Sequence, residues 1–234
     1  MTLDQLLLAV FPYVAIVLAV VVTCLRYFGN RFSYSSLSSQ FLENRQLFWG
    51  SGPWHYGILF LLTGHLVGLL IPRTVLAWNG VPWRLYVLEA SALAFGLLTL
   101  WGLIVLIFRR ITSARIRAVT STMDVVLLLV LLVQVVAGVW MAIFYRWGSS
   151  WYAGFAVPYL VSLLKLNPDI VLVANFPFMA KLHIVNAFLI LLLLPFTRLV
   201  HLLSVPFSYL WRPYQVVIWN VAPLRGTARQ AGRR

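Results

Sequence analysis

GPWHYGILFLLTGHLVGLL, residues 52–70, decides the fold. It holds no charged side chain and is long enough to cross the roughly 30 Å hydrocarbon core of a bilayer as one helix. Yet it carries two histidines, His55 and His65, ten positions apart. Ionisable groups are costly in lipid, so those that persist in a spanning segment point to a site.

The rest of the chain has the same character. Hydrophobic residues make up 62% and charged residues 10% of the 234 positions, and the mean hydropathy is +0.91. Such a surface cannot be mostly wetted, which defines an integral membrane protein. A net charge of +13 would suggest nucleic acid in a soluble chain. Here the basic residues flank apolar runs, where they report orientation instead. The single cysteine, Cys24, excludes an internal disulfide, a cysteine-ligated iron–sulfur cluster and a C-x-x-C-H haem attachment. Any redox cofactor is therefore held by other residues.

Five runs reach spanning length: 5–25, 53–72, 85–108, 123–145 and 178–205. The predicted fold is an all-α bundle of five transmembrane helices in a single domain over 1–234, with a tail at 206–234. The first run has only Asp4 ahead of it and no small-residue cleavage site, so it reads as a retained helix and not a signal peptide. GFAVPYLVSLLKLNPD, residues 154–169, is short and proline-interrupted, and is expected to lie at the interface.

One side of the predicted topology collects Arg26, Arg31, Arg45, Arg109, Arg110, Arg115, Arg117, Arg212, Arg225, Arg229, Arg233 and Arg234. The other holds Arg73, Arg84, Arg146, Lys165 and Lys181, with Arg198 inside the fifth run. The positive-inside rule then places the N-terminus outside and the C-terminus in the cytoplasm of a multi-pass plasma-membrane protein. Trp78, Trp83, Trp147, Trp151, Trp211 and Trp219 sit near run ends, as interfacial belts do.

All four histidines, His55, His65, His183 and His201, fall in predicted spans. The second and fifth runs are antiparallel, so His55 faces His201 at the inner side and His65 faces His183 at the outer side. Two bis-histidine sites stacked across a membrane are what two b-type haems require, since neutral imidazoles bind haem iron axially. The spacing does not close on straight helices: ten residues rise about 15 Å and eighteen about 27 Å. Helix tilt, inclined haem planes or a kink at Pro195 would absorb the difference.

Gly57, Gly64 and Gly68 suit the approach of a flat macrocycle and small-residue helix packing, two readings that are compatible. Arg198, one turn before His201, either pairs with a haem propionate or snorkels to the inner surface. Asp124 and Gln134 are polar residues that need partners within the bundle, and a structural role is expected for both.

Three motifs then carry a resemblance: H-x-G-I-L-x-x-x-x-G-H-x-x-G-x-L-x-P (His55 to Pro72), R-R…R-x-R-A-x-T (Arg109 to Thr120), and K-L-H…P-F-x-R-L-x-H-x-x-S-V-P-x-x-Y-L-x-R-x-Y-Q (Lys181 to Gln215). With four histidines at matching places, the chain resembles the gamma subunit, a dihaem cytochrome b, of membrane-bound respiratory nitrate reductase over all five helices. The resemblance implies His55 with His201 on a haem proximal to the cytoplasmic subunits, and His65 with His183 on a distal haem. It implies quinol oxidation near Gly64 and His65, assisted by a basic residue that corresponds to Arg84. The family's residue there is lysine; arginine keeps the charge and the donors but does not readily release a proton. The loop at 148–177 also departs from the family pattern. The implied partners are an iron–sulfur beta subunit and a molybdenum-containing alpha subunit on the cytoplasmic face.

Three other readings follow from the same residues: the cytochrome b of another quinone-linked oxidoreductase, such as a sulfite-reductase-linked or heterodisulfide-reductase-like complex, a proton-coupled transporter with a histidine relay, and a passive anchor. The transporter reading asks for carboxylates in the bundle, where the sequence offers Glu89 and Asp124. The anchor reading leaves four histidines unexplained.

Overall fold

A computed structural model of the chain describes residues 2–29 and 45–202. Every regular element among them is helical. In chain order they are α1 (Leu3–Gly29), α2 (Arg45–Leu70), α3 (Pro72–Asn79), α4 (Pro82–Thr112), α5 (Ala114–Ala118), α6 (Thr122–Phe144), α7 (Gly148–Trp151), α8 (Val157–Leu164), α9 (Val171–Ala174) and α10 (Phe178–Leu193). A π-helical turn, Tyr152–Ala156, joins α7 to α8.

Five helices are long and apolar enough to cross a membrane: α1, α2, α4, α6 and the segment Phe178–Phe196. Their outward faces carry Val17, Val20, Leu66, Leu97, Val125 and Leu129 exposed. An apolar surface this continuous is lipid-facing. The protein is thus a multi-pass integral membrane protein.

The boundaries follow local chemistry. Ser121 and Asp124 form a reciprocal capping box that starts α6, and Thr2 with Gln5 does the same for α1. Pro72 and Pro82 sit in the first turns of α3 and α4, where a missing N–H costs nothing. Arg109 and Arg110 occupy the last turn of α4, complementing its dipole.

The fifth span differs from the expected 178–205. The α-helix stops at Leu193, passes through a 3₁₀ turn at Leu194–Phe196, and is followed by a second 3₁₀ segment, Arg198–Leu202. Pro195 causes the break, since its ring has no N–H to donate and clashes with the preceding turn. Thr197 is extended, at φ −122° and ψ 177°. The Arg26 guanidinium of α1 donates to the Pro195 carbonyl, which the break leaves without a helical partner. Arg198 and His201 therefore lie on the second 3₁₀ segment and not inside the helix. Residues 203–205, Trp211, Trp219 and the tail at 206–234 lie outside the described residues.

Helices pack as α2 on α4, α4 on α6, α6 on α10 and α10 on α1. The histidine-bearing α2 and α10 are not among these principal pairs. The α2–α4 contact is a backbone approach: a Cβ on Gly57 would lie 2.9 Å from the Phe95 carbonyl, and one on Gly102 would lie 2.7 Å from the Gly50 carbonyl. Of the two sequence readings for Gly57, helix packing holds. Gly102→Ala is expected to destabilise the bundle by about 1–3 kcal/mol through overpacking, measurable as a lower unfolding midpoint in detergent.

In the 154–169 stretch, expected at the interface, one face of α8 packs against α1, while Phe155, Leu164 and Leu166 stay exposed. Tyr159 of α8 is fully buried with Leu8, Leu163 and Val173. Its hydroxyl donates to the Leu8 carbonyl at 2.7 Å, and the Tyr13 hydroxyl donates to the Leu163 carbonyl at 3.0 Å. Two phenols thus satisfy buried carbonyls and fix α8 to α1.

Candidate functional site: two facing histidine pairs

His55 and His201 face each other with ring centres 6.3 Å apart. His65 and His183 face each other at 6.4 Å. These are the pairings expected from the antiparallel runs, with His201 supplied by the 3₁₀ segment beyond the Pro195 break. Two imidazoles sharing one metal ion, with bonds of about 2 Å and about 1.1 Å from each nitrogen to its ring centre, have centres about 6.2 Å apart. Both pairs meet that separation.

The hydrogen bonds select one tautomer in all four rings. The Nδ1 of His55 donates to the Ser51 carbonyl at 2.7 Å, and that of His65 to the Leu61 carbonyl at 2.8 Å. The Nδ1 of His201 donates to the Arg198 carbonyl at 2.6 Å, and that of His183 to the Gln134 carbonyl at 3.0 Å. A carbonyl accepts only, so each Nδ1 carries the proton and each Nε2 keeps its lone pair, the state an axial ligand needs. The Gln134 side-chain amide, 3.2 Å from the His183 Nε2, acts there as donor.

Three of these partners lie one turn back on the ring's own segment; His183 instead uses the backbone of α6. Gly138 makes that possible, because a Cβ there would lie 3.1 Å from the His183 Cε1. Asn186 completes the arrangement by donating to the Gln134 Oε1 at 2.8 Å and to the Val130 carbonyl at 3.0 Å. Gln134 thus has the partners it was expected to need.

At the His55 end, Arg198 does not point to an isolated surface position. Its Nε donates to the Asp124 Oδ1 at 2.7 Å and one terminal nitrogen donates to Oδ2 at 3.0 Å. Arg110 reaches the same carboxylate at 3.0 Å. At the His65 end, Tyr152 stands edge-on to the His65 ring with centres 5.1 Å apart, and its hydroxyl donates to the His65 carbonyl at 2.9 Å. Burial raises the Tyr152 pKa above its ordinary value, so the phenol keeps its proton at neutral pH and keeps donating. Gly68 makes room for this ring: a Cβ there would lie 2.7 Å from Tyr152. A Cβ on Gly64 would meet no atom within 4 Å.

Arg84 stacks its guanidinium over Trp78 at 4.8 Å and Trp83 at 5.7 Å. Its buried Nε has no hydrogen-bond partner among the described residues. Sequence reasoning named the four histidines and Arg84 as site candidates, and it did not single out Tyr152, Gly138 or Asn186, which pack on or hydrogen-bond around those histidines.

The fold and site define a class: a five-span helical membrane protein with two tautomer-locked histidine pairs. The model of the nitrate reductase gamma subunit family matches residues 4–220. The chain is 34% identical over 216 residues to the nitrate reductase gamma chain of Bacillus subtilis, covering 91% of this chain and 96% of that one. It is 35% identical over 214 residues to the respiratory nitrate reductase 2 gamma chain of Escherichia coli, covering 89% and 93%. A third relative, the nitrate reductase-like protein NarX of Mycobacterium tuberculosis, is 34% identical over 221 residues, which cover 91% of this chain and 33% of that longer one. The chain belongs to the nitrate reductase gamma subunit family.

Proposed function

We propose that this membrane subunit is a dihaem cytochrome b that oxidises quinol at its His65 end for a quinol:nitrate oxidoreductase. The observation that carries the reading is the pair of facing imidazole pairs, each with both Nδ1 protons committed to carbonyls. Exposure adds to it. His55, His65 and His201 are exposed although two of them lie in spanning helices, whereas a histidine kept for packing would be buried among partners.

His55 with His201, and His65 with His183, would each hold one haem b. When bound, the haems supply one-electron carriers at two depths of the bilayer, a path from quinol to iron–sulfur and molybdenum subunits that reduce nitrate. The chain's own residues bind and orient. The carbonyls of Ser51, Leu61, Gln134 and Arg198 fix the imidazole tautomers. Tyr152 holds the α2 backbone at His65, beside the open face of Gly64. The Arg84 Nε is a buried donor suited to a quinone oxygen, and Trp78 and Trp83 hold its charge in place. With the N-terminus outside, protons from quinol leave outside while electrons move inward against about 2.3 kcal/mol per charge per 100 mV. Arginine-rich segments on the opposite face suit docking of the beta and alpha subunits.

The histidine-relay transporter fares worse. Glu89 accepts from the Ser149 N–H at 2.9 Å and hydroxyl at 2.6 Å, and Asp124 is held by arginines, so neither carboxylate hydrogen-bonds a histidine among the described residues.

Electron paramagnetic resonance of the oxidised membrane complex tests the reading: two low-spin bis-imidazole species are expected, and their absence from a folded, haem-supplied preparation would refute it. For Arg84→Gln, loss of a charge-assisted hydrogen bond of about 1.5–3 kcal/mol is expected to lower kcat/KM for quinol roughly 10- to 100-fold. Haem content should be unchanged; an unaltered kcat/KM would remove Arg84 from the quinol site.

A further inference from the structure

Asp124, which holds Arg198 at the His55 end, has no part in the function proposed above, yet its place in the fold is unusual. It starts α6, is 5% exposed, and carries a charge near the end of a membrane-spanning helix. Its carboxylate accepts from the Ser121 N–H at 3.0 Å, from Arg110 of α4 at 3.0 Å and from Arg198 through two bonds at 2.7 and 3.0 Å. A capping box needs the first contact alone. The other contacts tie together three segments that the sequence keeps far apart.

Arg198 is the link that matters. Its guanidinium lies on Asp124 and also donates to the Val119 carbonyl at 3.2 Å, while its own carbonyl accepts the His201 Nδ1 proton at 2.6 Å. The segment it occupies is a short 3₁₀ turn beyond the Pro195 break, where His201 lies one turn after Arg198. The Arg198 carbonyl orients that ring within the turn, so what holds Arg198 in place also aims His201.

We infer that Asp124 is the positioning residue of the His55–His201 site: through Arg198 it anchors the turn that aims His201, and its negative charge tunes the potential of the group held there. This rests on the haem-binding reading proposed above. The charge effect has a definite sign. Reduction adds an electron, so a nearby anion disfavours the reduced form and its removal raises the midpoint potential. The His65–His183 pair is displaced by about ten residues along α2, roughly 15 Å, and feels the same change far less.

Two variants separate the two roles, measured by potentiometric titration and electron paramagnetic resonance on the assembled complex. Asp124→Asn keeps the shape and removes the charge. The haem lost in His201→Ala should rise in potential and shift its resonance, with the haem lost in His65→Ala unmoved. Arg198→Lys keeps the charge and removes the fork, so the same haem should change its resonance with little change in potential. Two haems in the wild type with spectra and potentials unaltered in both variants would overturn the inference and leave the haem reading intact. A wild type without haem would overturn both. If Asp124→Asn does not assemble, Arg198→Lys alone decides: an unchanged resonance refutes the positioning role.

Discussion

Replacing His201 by alanine is expected to remove one of two b haems and leave the other with its spectrum intact. His65→Ala should remove the complementary one. The reasoning is geometric: the ring pairs are separate, each has the separation that one shared ion would need, and no residue belongs to both. Quinol-driven nitrate reduction should fall by roughly 100-fold or more in either variant, beyond the 10- to 100-fold typical of losing a ligand's hydrogen-bond partner. The two variants differ in what survives. His201→Ala should still allow quinol to reduce the remaining haem, because Gly64, Tyr152 and Arg84 lie on other elements at the opposite end. His65→Ala should block that step as well. Equal loss of both haems in each variant would mean that the pairs are not independent sites.

Gly138→Val is expected to remove the His65–His183 haem while sparing the other. A Cβ at 138 already falls 3.1 Å from the His183 Cε1, and the branched carbons of valine extend further into the ring. The imidazole must swing away from α6, which breaks the 3.0 Å bond from Nδ1 to the Gln134 carbonyl. Both the position and the tautomer of the ligand are then lost, and about half the haem with it. Gly138→Ala asks for a shift of a few tenths of an ångström and should instead retain the haem with a changed resonance. The checks are a haem assay and the resonance of the surviving species. Full haem content in Gly138→Val would show that α6 does not set the ring.

Much of this site is legible in the chain because its chief signal is compositional: a histidine in lipid is rare, and four in predicted spans demand a reason. Antiparallel order then fixed the pairs. What the sequence did not reveal came from helix–helix packing. Gly138 is one glycine in the apolar run of α6, and only the approach of α10 distinguishes it. Arg198 has two sequence readings, a haem propionate or the inner surface, and neither names its partner Asp124, which lies on another helix. Pro195 was legible as a kink but not as the end of the helix, because the turn beyond it depends on Arg26 and on Asp124. The 154–169 stretch reads as interfacial by length, and the packing of its buried face on α1 depends on Tyr13 and Tyr159 finding carbonyls on distant segments.

The most direct test of the central claim is a pyridine haemochrome assay, with reduced-minus-oxidised spectra, on the purified chain expressed with ample haem. The expected result is two b haems per chain. A folded chain that holds none would contradict the electron-carrying role, and a chain that holds one would contradict the paired-site geometry.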